Sequence, residues 1–406
     1  LKLHTYKYTA KTKDGKVIKG HLEAISYAFC VKYLQSRNYV IDKVSEHNNV
    51  FVKLGQITFG KVLSGKQLIF FLKQLGALLT SNINLLDSLE LLSLQQENHL
   101  IRRLYFEVYL DVYNGYTFSY ALGKHTNDFP LLLVRMVEVG EISGKLASSI
   151  LEMAKFFEKQ FKMVSSIKGT VRMPIIYFLA TIAIAIGMMV FVFPNMEDLF
   201  ASFGNAQLPG ITQILIDTGT YLSENILSFA LILIGFILAF YLALKFIKSF
   251  HLLMTKFSIK IPIFGSLIST YNQILIANSL GQMIKNGINS LQALKTTSTL
   301  IKNDVYHAVI VETIKNVEDG LPFSKSFVES NYIDPIMSHM IITGEKSGNL
   351  PVFLENMSIY YNEVSDLKIE KIKGALQPIL LLFVYAIVGA LLLALIMPML
   401  SLGTQI

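Results

Sequence analysis

The chain has a single cysteine, Cys30, so it can hold neither an intrachain disulfide nor a cysteine-rich metal site. It has no tryptophan. Its eight histidines are scattered, without a close pair to start a ligand set, and no H-E-x-x-H occurs. A phosphate-cradling G-x-x-x-x-G-K-[ST] loop is missing. The nearest stretch, Gly344-Glu345-Lys346-Ser347, puts a glutamate before the lysine. No G-x-S-x-G elbow offers a nucleophilic serine, and no basic tract with interleaved aromatics offers a nucleic-acid face. No enzymatic activity, no metal, no cofactor and no nucleic-acid partner are therefore expected.

Charge is also scarce. Charged residues make up 16% of the chain against 52% hydrophobic. That is too apolar for an ordinary soluble protein and too charged for one wholly within lipid. The basic residues are absent from whole regions: none occurs from 173 to 244 and none after Lys373. The same regions hold three uncharged apolar runs, 174–193, 226–244 and 378–400. Twenty residues at a rise of about 1.5 Å each cover about 30 Å, the thickness of a bilayer's hydrocarbon. Of the 36 Lys and Arg, 23 precede Pro174 and 13 lie between Lys245 and Lys373, whereas 194–225 carries only Glu197, Asp198, Asp217 and Glu224. All basic residues thus fall on one side, which the positive-inside rule makes cytoplasmic. The N-terminus is expected inside and the C-terminus outside. The spans lack the ionisable residues that a transporter or proton relay uses.

What the chain does have is itself twice. Gly140-Glu141-Ile142-Ser143-Gly144 recurs as Gly344-Glu345-Lys346-Ser347-Gly348, 204 residues on. Gly76 and Ile83-Asn84 answer Gly281 and Ile288-Asn289, and Asn114-Gly115 with Phe118-Ser119 answers Asp319-Gly320 with Phe323-Ser324, all at an offset of 205. Pro174 answers Pro378, and each opens an apolar run. An internal repeat of this size fixes the architecture. Each copy is a helical part followed by a span that leaves the cytoplasm. The middle span returns the chain so that the second copy begins inside.

Before the first copy, Tyr6 and Tyr8 alternate with polar residues up to Asp14-Gly15, a hairpin signal, and no signal-peptide pattern is visible. Val17 to Ala24 returns as a strand, Ser26 caps a short helix carrying Phe29, Tyr33 and Leu34, and Tyr39 to Val44 is a third strand. Such a small module needs something to dock on. From Ser64 the apolar period is helical, and turn residues divide the segment into six helices. The second copy repeats that pattern from Tyr271.

In the Gly-Glu-x-Ser-Gly motif, Gly140 and Gly144 suit a tight turn or close approach, and Ser143 suits a cap of the sixth helix with Glu141 near its positive end. Glu138 and Glu141 resemble an acid/base or metal pair, but position 342 of the second copy is isoleucine, so only Glu141 and Glu345 recur. The motif is structural, or it contacts a partner.

The doubled motif, the Phe-Ser turns and the proline-opened spans resemble the type II secretion system F family over nearly the whole chain. The resemblance implies a mainly α polytopic membrane protein. It has a β-β-α-β module (1–46), a linker (47–63), two cytoplasmic six-helix bundles (64–173 and 245–377), three transmembrane helices (174–193, 226–244, 378–400), an extracytoplasmic loop (194–225) and a tail (401–406). It implies a non-enzymatic platform in type IV pilus assembly, coupling a cytoplasmic assembly or retraction ATPase to insertion or extraction of pilin. A pseudopilin platform of type II secretion or a competence pilus is the alternative. Other inner-membrane alignment proteins and further copies of the chain, a dimer or more, are implied partners. A membrane transporter or membrane-embedded enzyme is the reading from another class. Gly140, Glu141, Ser143, Gly144, Gly344, Glu345, Ser347 and Gly348 are the motif residues to place, with Pro174 and Pro378 at the helix-to-span junctions.

Overall fold

The computed structural model describes residues 4–11, 17–24, 27–36, 39–46, 61–192, 210–261 and 264–405. The Asp14-Gly15 turn, the Ser26 cap, most of the linker, residues 193–209 and Pro262-Ile263 lie outside them. The chain is mostly helical, with one small sheet at the N-terminal end. It divides into two compact units: Leu1–Lys162 with Ser279–Leu300 and Leu350–Val352, and Met163–Asn278 with Ile301–Asn349 and Phe353–Ile406.

In the first unit, β1 (His4–Lys11) is the central strand, antiparallel to β2 (Val17–Ala24) and β3 (Val40–Glu46), with a register shift at Thr9/Ala10. Helix α1 (Tyr27–Ser36) buries Phe29, Cys30, Tyr33 and Leu34. The module docks on the helices that follow. The Phe29 ring lies tilted against Phe106 with centroids 4.4 Å apart, Arg102 lies 4.5 Å over the Tyr33 ring, and Lys32 reaches Glu90 at 2.7 Å. Burying an aromatic of this size is worth about 1.5–3 kcal/mol, so the docking face supplies what the sheet's own small core lacks.

The first repeat runs as α2 (Gly65–Thr80), α3 (Leu85–Gln95), α4 (His99–Tyr113), α5 (Phe118–Gly123), α6 (Leu131–Ile142) and α7 (Leu146–Gly187). Ser64 and Gln67 start α2 with a reciprocal capping box, and Asn84, Asn98 and Thr117 cap the next three helices. Phe71 meets Tyr105 at 4.5 Å and Phe129 at 5.7 Å in the core. Cys30 is fully buried, and burial pushes its thiol up to about 11.

After α8 (Gly210–Glu224), α9 (Ile226–Phe246) and α10 (Lys248–Lys260), the same succession returns. It runs α11 (Phe264–Lys285), α12 (Ser290–Leu300), α13 (Asp304–Glu318), α14 (Lys325–Glu329), α15 (Pro335–Lys346) and α16 (Leu350–Gln405). The order of elements repeats, but the compact units do not follow the repeat boundary. Ser279–Leu300 belongs to the first unit, where α12 packs on α6. Periodicity identifies an apolar face without naming its cover.

Helices α7 and α16 are long and apolar enough to cross a membrane. The pair α9–α10 is a third candidate by length and composition if its two bent parts count as one. Neither proline starts an element: α7 continues through Pro174 for 42 residues and α16 through Pro378 for 56. A π-helical turn, Met188–Val192, follows α7. In the second unit, α7 and α16 touch through Phe178 and Phe383, 4.5 Å apart. Nearer their basic ends, Ile167 packs on Leu267, Ile369 and Ile372. The segment expected as a loop contains α8, whose Ile216 packs with Ala185, Leu391 and Ala394. Pro398 has no N–H for the carbonyl of Ala394, and the buried Thr212 hydroxyl donates to that carbonyl instead, at 2.8 Å.

Candidate functional site: a carboxylate clasp in each repeat

The motif glycines end helices. At the end of α6, Gly144 has φ +69°, its N–H donates to the Glu141 carbonyl, and the Lys145 N–H donates to the Gly140 carbonyl at 2.8 Å. At the end of α15, Gly348 has φ +69°, and the Asn349 N–H donates to the Gly344 carbonyl at 2.9 Å. This is the paired hydrogen-bond pattern of a left-handed helix cap. Asn82 and Gly287 close the first helix of each repeat in the same way, and Gly115 and Gly320 the third. Among the described residues these six are all that have left-handed φ, three to each repeat. Gly140 answers a different need. A Cβ there would lie 2.7 Å from the Ser149 hydroxyl, so α6 and α7 meet across bare backbone.

Ser143 does not cap α7; its hydroxyl donates back to the Val139 carbonyl at 2.7 Å. Ser347 likewise donates to Gly344, at 3.3 Å. Glu141 is not spent on α7 either. Its two oxygens accept the N–H groups of Phe118 at 2.6 Å and Ser119 at 3.0 Å, the first amides of α5. Thr117 takes the next, that of Tyr120, at 3.2 Å. In the second repeat Glu345 accepts the N–H of Phe323 at 2.5 Å and of Ser324 at 3.0 Å. The two signatures of each repeat, Gly-x-x-Phe-Ser and Gly-Glu-x-Ser-Gly, are therefore two halves of one clasp. The phenylalanine is buried in both copies and pins the turn, so that its amides face the carboxylate. A short helix has strongly exposed N-terminal donors, and an anion satisfies both hydrogen bonding and dipole.

Glu138 stands apart, paired with Arg135 at 2.8 Å. Asp128 does for the linker's end what Glu141 does for α5. Nearly fully buried, it accepts the N–H groups of Val62 at 2.6 Å and Leu63 at 2.7 Å. Long-range acceptance by an acidic side chain leaves no local mark in sequence. Among the described residues, no group of three or more His, Cys, Asp or Glu lies close enough to hold a metal ion.

A clasp that recurs with the same partners marks two copies of one module. The family model for type II secretion system (T2SS), protein F, matches twice, over residues 71–194 and 276–398. The chain belongs to that family. Among its relatives is the type IV pilus assembly protein PilC of Myxococcus xanthus, 26% identical over 98% of this chain and 95% of the relative. PilC of Thermus thermophilus is 24% identical over 97% of both chains. The type II secretion system protein F of Pseudomonas aeruginosa is 26% identical over 98% of both. The two matched segments each take in one clasp and one long apolar helix.

Proposed function

We propose that the chain is the inner-membrane platform of a type IV pilus assembly machine. It passes motion from a cytoplasmic hexameric ATPase to pilin entering or leaving the fibre. The carrying observation is the double family match combined with near full-length likeness to two pilus assembly proteins. Likeness to a secretion protein F at the same level keeps a secretion pseudopilus as the second reading. In this proposal Lys/Arg-rich parts face the cytoplasm, α7, α9 and α16 cross the membrane, and the protein acts without catalysis of its own. Cross-linking in cells followed by purification of the tagged chain is expected to recover a hexameric ATPase and a pilin-like subunit. Recovery of neither from fibre-bearing cells would overturn the platform reading, and recovery of secretion pseudopilins would favour the second.

Sidedness has its own test. The sole native thiol is buried and held protonated, so introduced cysteines report alone. Cysteines at positions 205 and 405 are expected to react with an impermeant maleimide in intact cells, and one at Gln96 only after lysis. Labelling of position 96 in intact cells would overturn the orientation.

A further inference from the structure

Helix α10 is bent about 100° from the apolar helix before it. Helix α9 has 21 residues, which at about 1.5 Å each are enough to cross the hydrocarbon unaided. Its large side chains from Leu231 to Leu242 are exposed on all sides. If α9 stands along the membrane normal, the bend lays α10 along the membrane surface. One face of α10 is held by the protein: the His251 ring nitrogen lies 2.6 Å from Asp304, and the Thr255 hydroxyl lies 3.5 Å from the same carboxylate. The opposite face is open. Ser249, Leu253, Lys256, Phe257 and Lys260 are exposed and fall at spacings of four, three, one and three, a single stripe. Leu253 is 63% and Phe257 61% exposed, flanked by lysines. Lys245 and Lys248 stand at the bend, and no acidic residue occurs between Glu224 and Asp304.

We infer that α10 is a membrane-surface helix. Leu253 and Phe257 enter the headgroup–acyl boundary, while Lys245, Lys248, Lys256 and Lys260 bind anionic lipid headgroups. The charge decides for lipid over a burial inside the bilayer: four lysines and a histidine–aspartate pair are too costly for hydrocarbon, whereas an anionic leaflet attracts them. An amphipathic helix of this kind sits about 5–10 Å into the boundary. Its paired face would tie the second repeat's α13 to the membrane plane through Asp304. The inference rests on the membrane crossing of α9 proposed above.

The absence of tryptophan makes the test site-specific. The full chain carrying Phe257→Trp is reconstituted into phosphatidylcholine vesicles with or without phosphatidylglycerol, and brominated lipids report depth. A second chain carries Phe236→Trp in α9. Trp at 236 is expected to be quenched by bromines deep in the acyl chain in either lipid. Trp at 257 is expected to be quenched by shallow bromines only, and more strongly with phosphatidylglycerol. Lys256→Gln and Lys260→Gln are each expected to weaken that contact about fivefold at low salt. Shielding of 236 with an unquenched, water-exposed 257 overturns the inference and leaves the span standing. Deep quenching at 257 overturns it in favour of a re-entrant segment. Indifference to phosphatidylglycerol overturns the headgroup assignment, and an unquenched 236 removes both the span and the inference.

Discussion

Replacing Glu141 with alanine is expected to speed hydrogen exchange over residues 116–123 about 30-fold, the ratio for a loss of about 2 kcal/mol. Its carboxylate receives two backbone N–H groups at 2.6 and 3.0 Å, both from the first turn of a six-residue helix. Hydrogen bonds to a charged acceptor are worth about 1.5–3 kcal/mol each, reduced here because the site is half-buried and water replaces part of what is lost. Glutamine is expected to fall about midway, since its oxygen can accept one N–H but its amide nitrogen then faces the other donor. Glu345→Ala is expected to do the same across residues 321–329, and more completely. Pro322 stands where Thr117 caps the first copy, and α14 has no side-chain cap bond of its own. Gly144→Val and Gly348→Val attack the other end of each clasp: both positions have φ +69°, where a β-branched residue is strained by about 1–3 kcal/mol. Normal exchange in both alanine variants would mean that the carboxylates are passive neighbours of the turns. Normal exchange together with lost fibre assembly would restore a direct partner contact as the role of the glutamates.

The clasp also measures what was legible in the chain. Gly144 and Gly348 were recognisable as a repeated pair because a left-handed cap tolerates few residues, and the same residue is used twice. Asn82 and Gly287 show the limit of that logic: they occupy equivalent caps with different residues, and only the backbone reveals the match. The direction in which Glu141 reaches was not legible. Its acceptors' partners lie 22 and 23 residues back, and proximity in sequence pointed to α7 instead. The apolar runs were legible from composition, but composition does not say whether a helix ends at Pro174 and Pro378 or passes through them, as α7 and α16 do. A proline sacrifices one amide hydrogen bond, and a long helix can absorb this without ending. Helix α8 was missed because its polar residues and the acidic charges around it resemble a loop when hydrophobicity is averaged. The covering of α12 by α6 was beyond sequence, since any apolar face of the right width would serve.

The absence of an element boundary at the prolines sets up the second large effect. Inserting a short Gly-Ser segment between Lys168 and Pro174 is expected to abolish fibre assembly while leaving the chain folded and inserted. Helix α7 passes that point unbroken, from the basic residues at Lys155, Lys159, Lys162 and Lys168 into the uncharged run. Just before it, Ile167 packs with Leu267, Ile369 and Ile372, and Lys368 bonds the Thr270 hydroxyl at 2.6 Å, so α7, α11 and α16 are held side by side. A stiff helix emerging from such a collar carries displacement along its length, whereas a flexible segment of glycine and serine absorbs it. The insertion leaves Ile167 and its neighbours in place and touches no clasp, so exchange over residues 116–123 should be unchanged. The same segment inserted near residue 205, beyond the span, should be tolerated. Fibres built at the normal rate by the first variant would refute the rigid lever and leave the protein a passive anchor for the machine above it. Loss of fibres from both variants would mean that insertions on either side of the first apolar run are harmful, and would leave the lever without support.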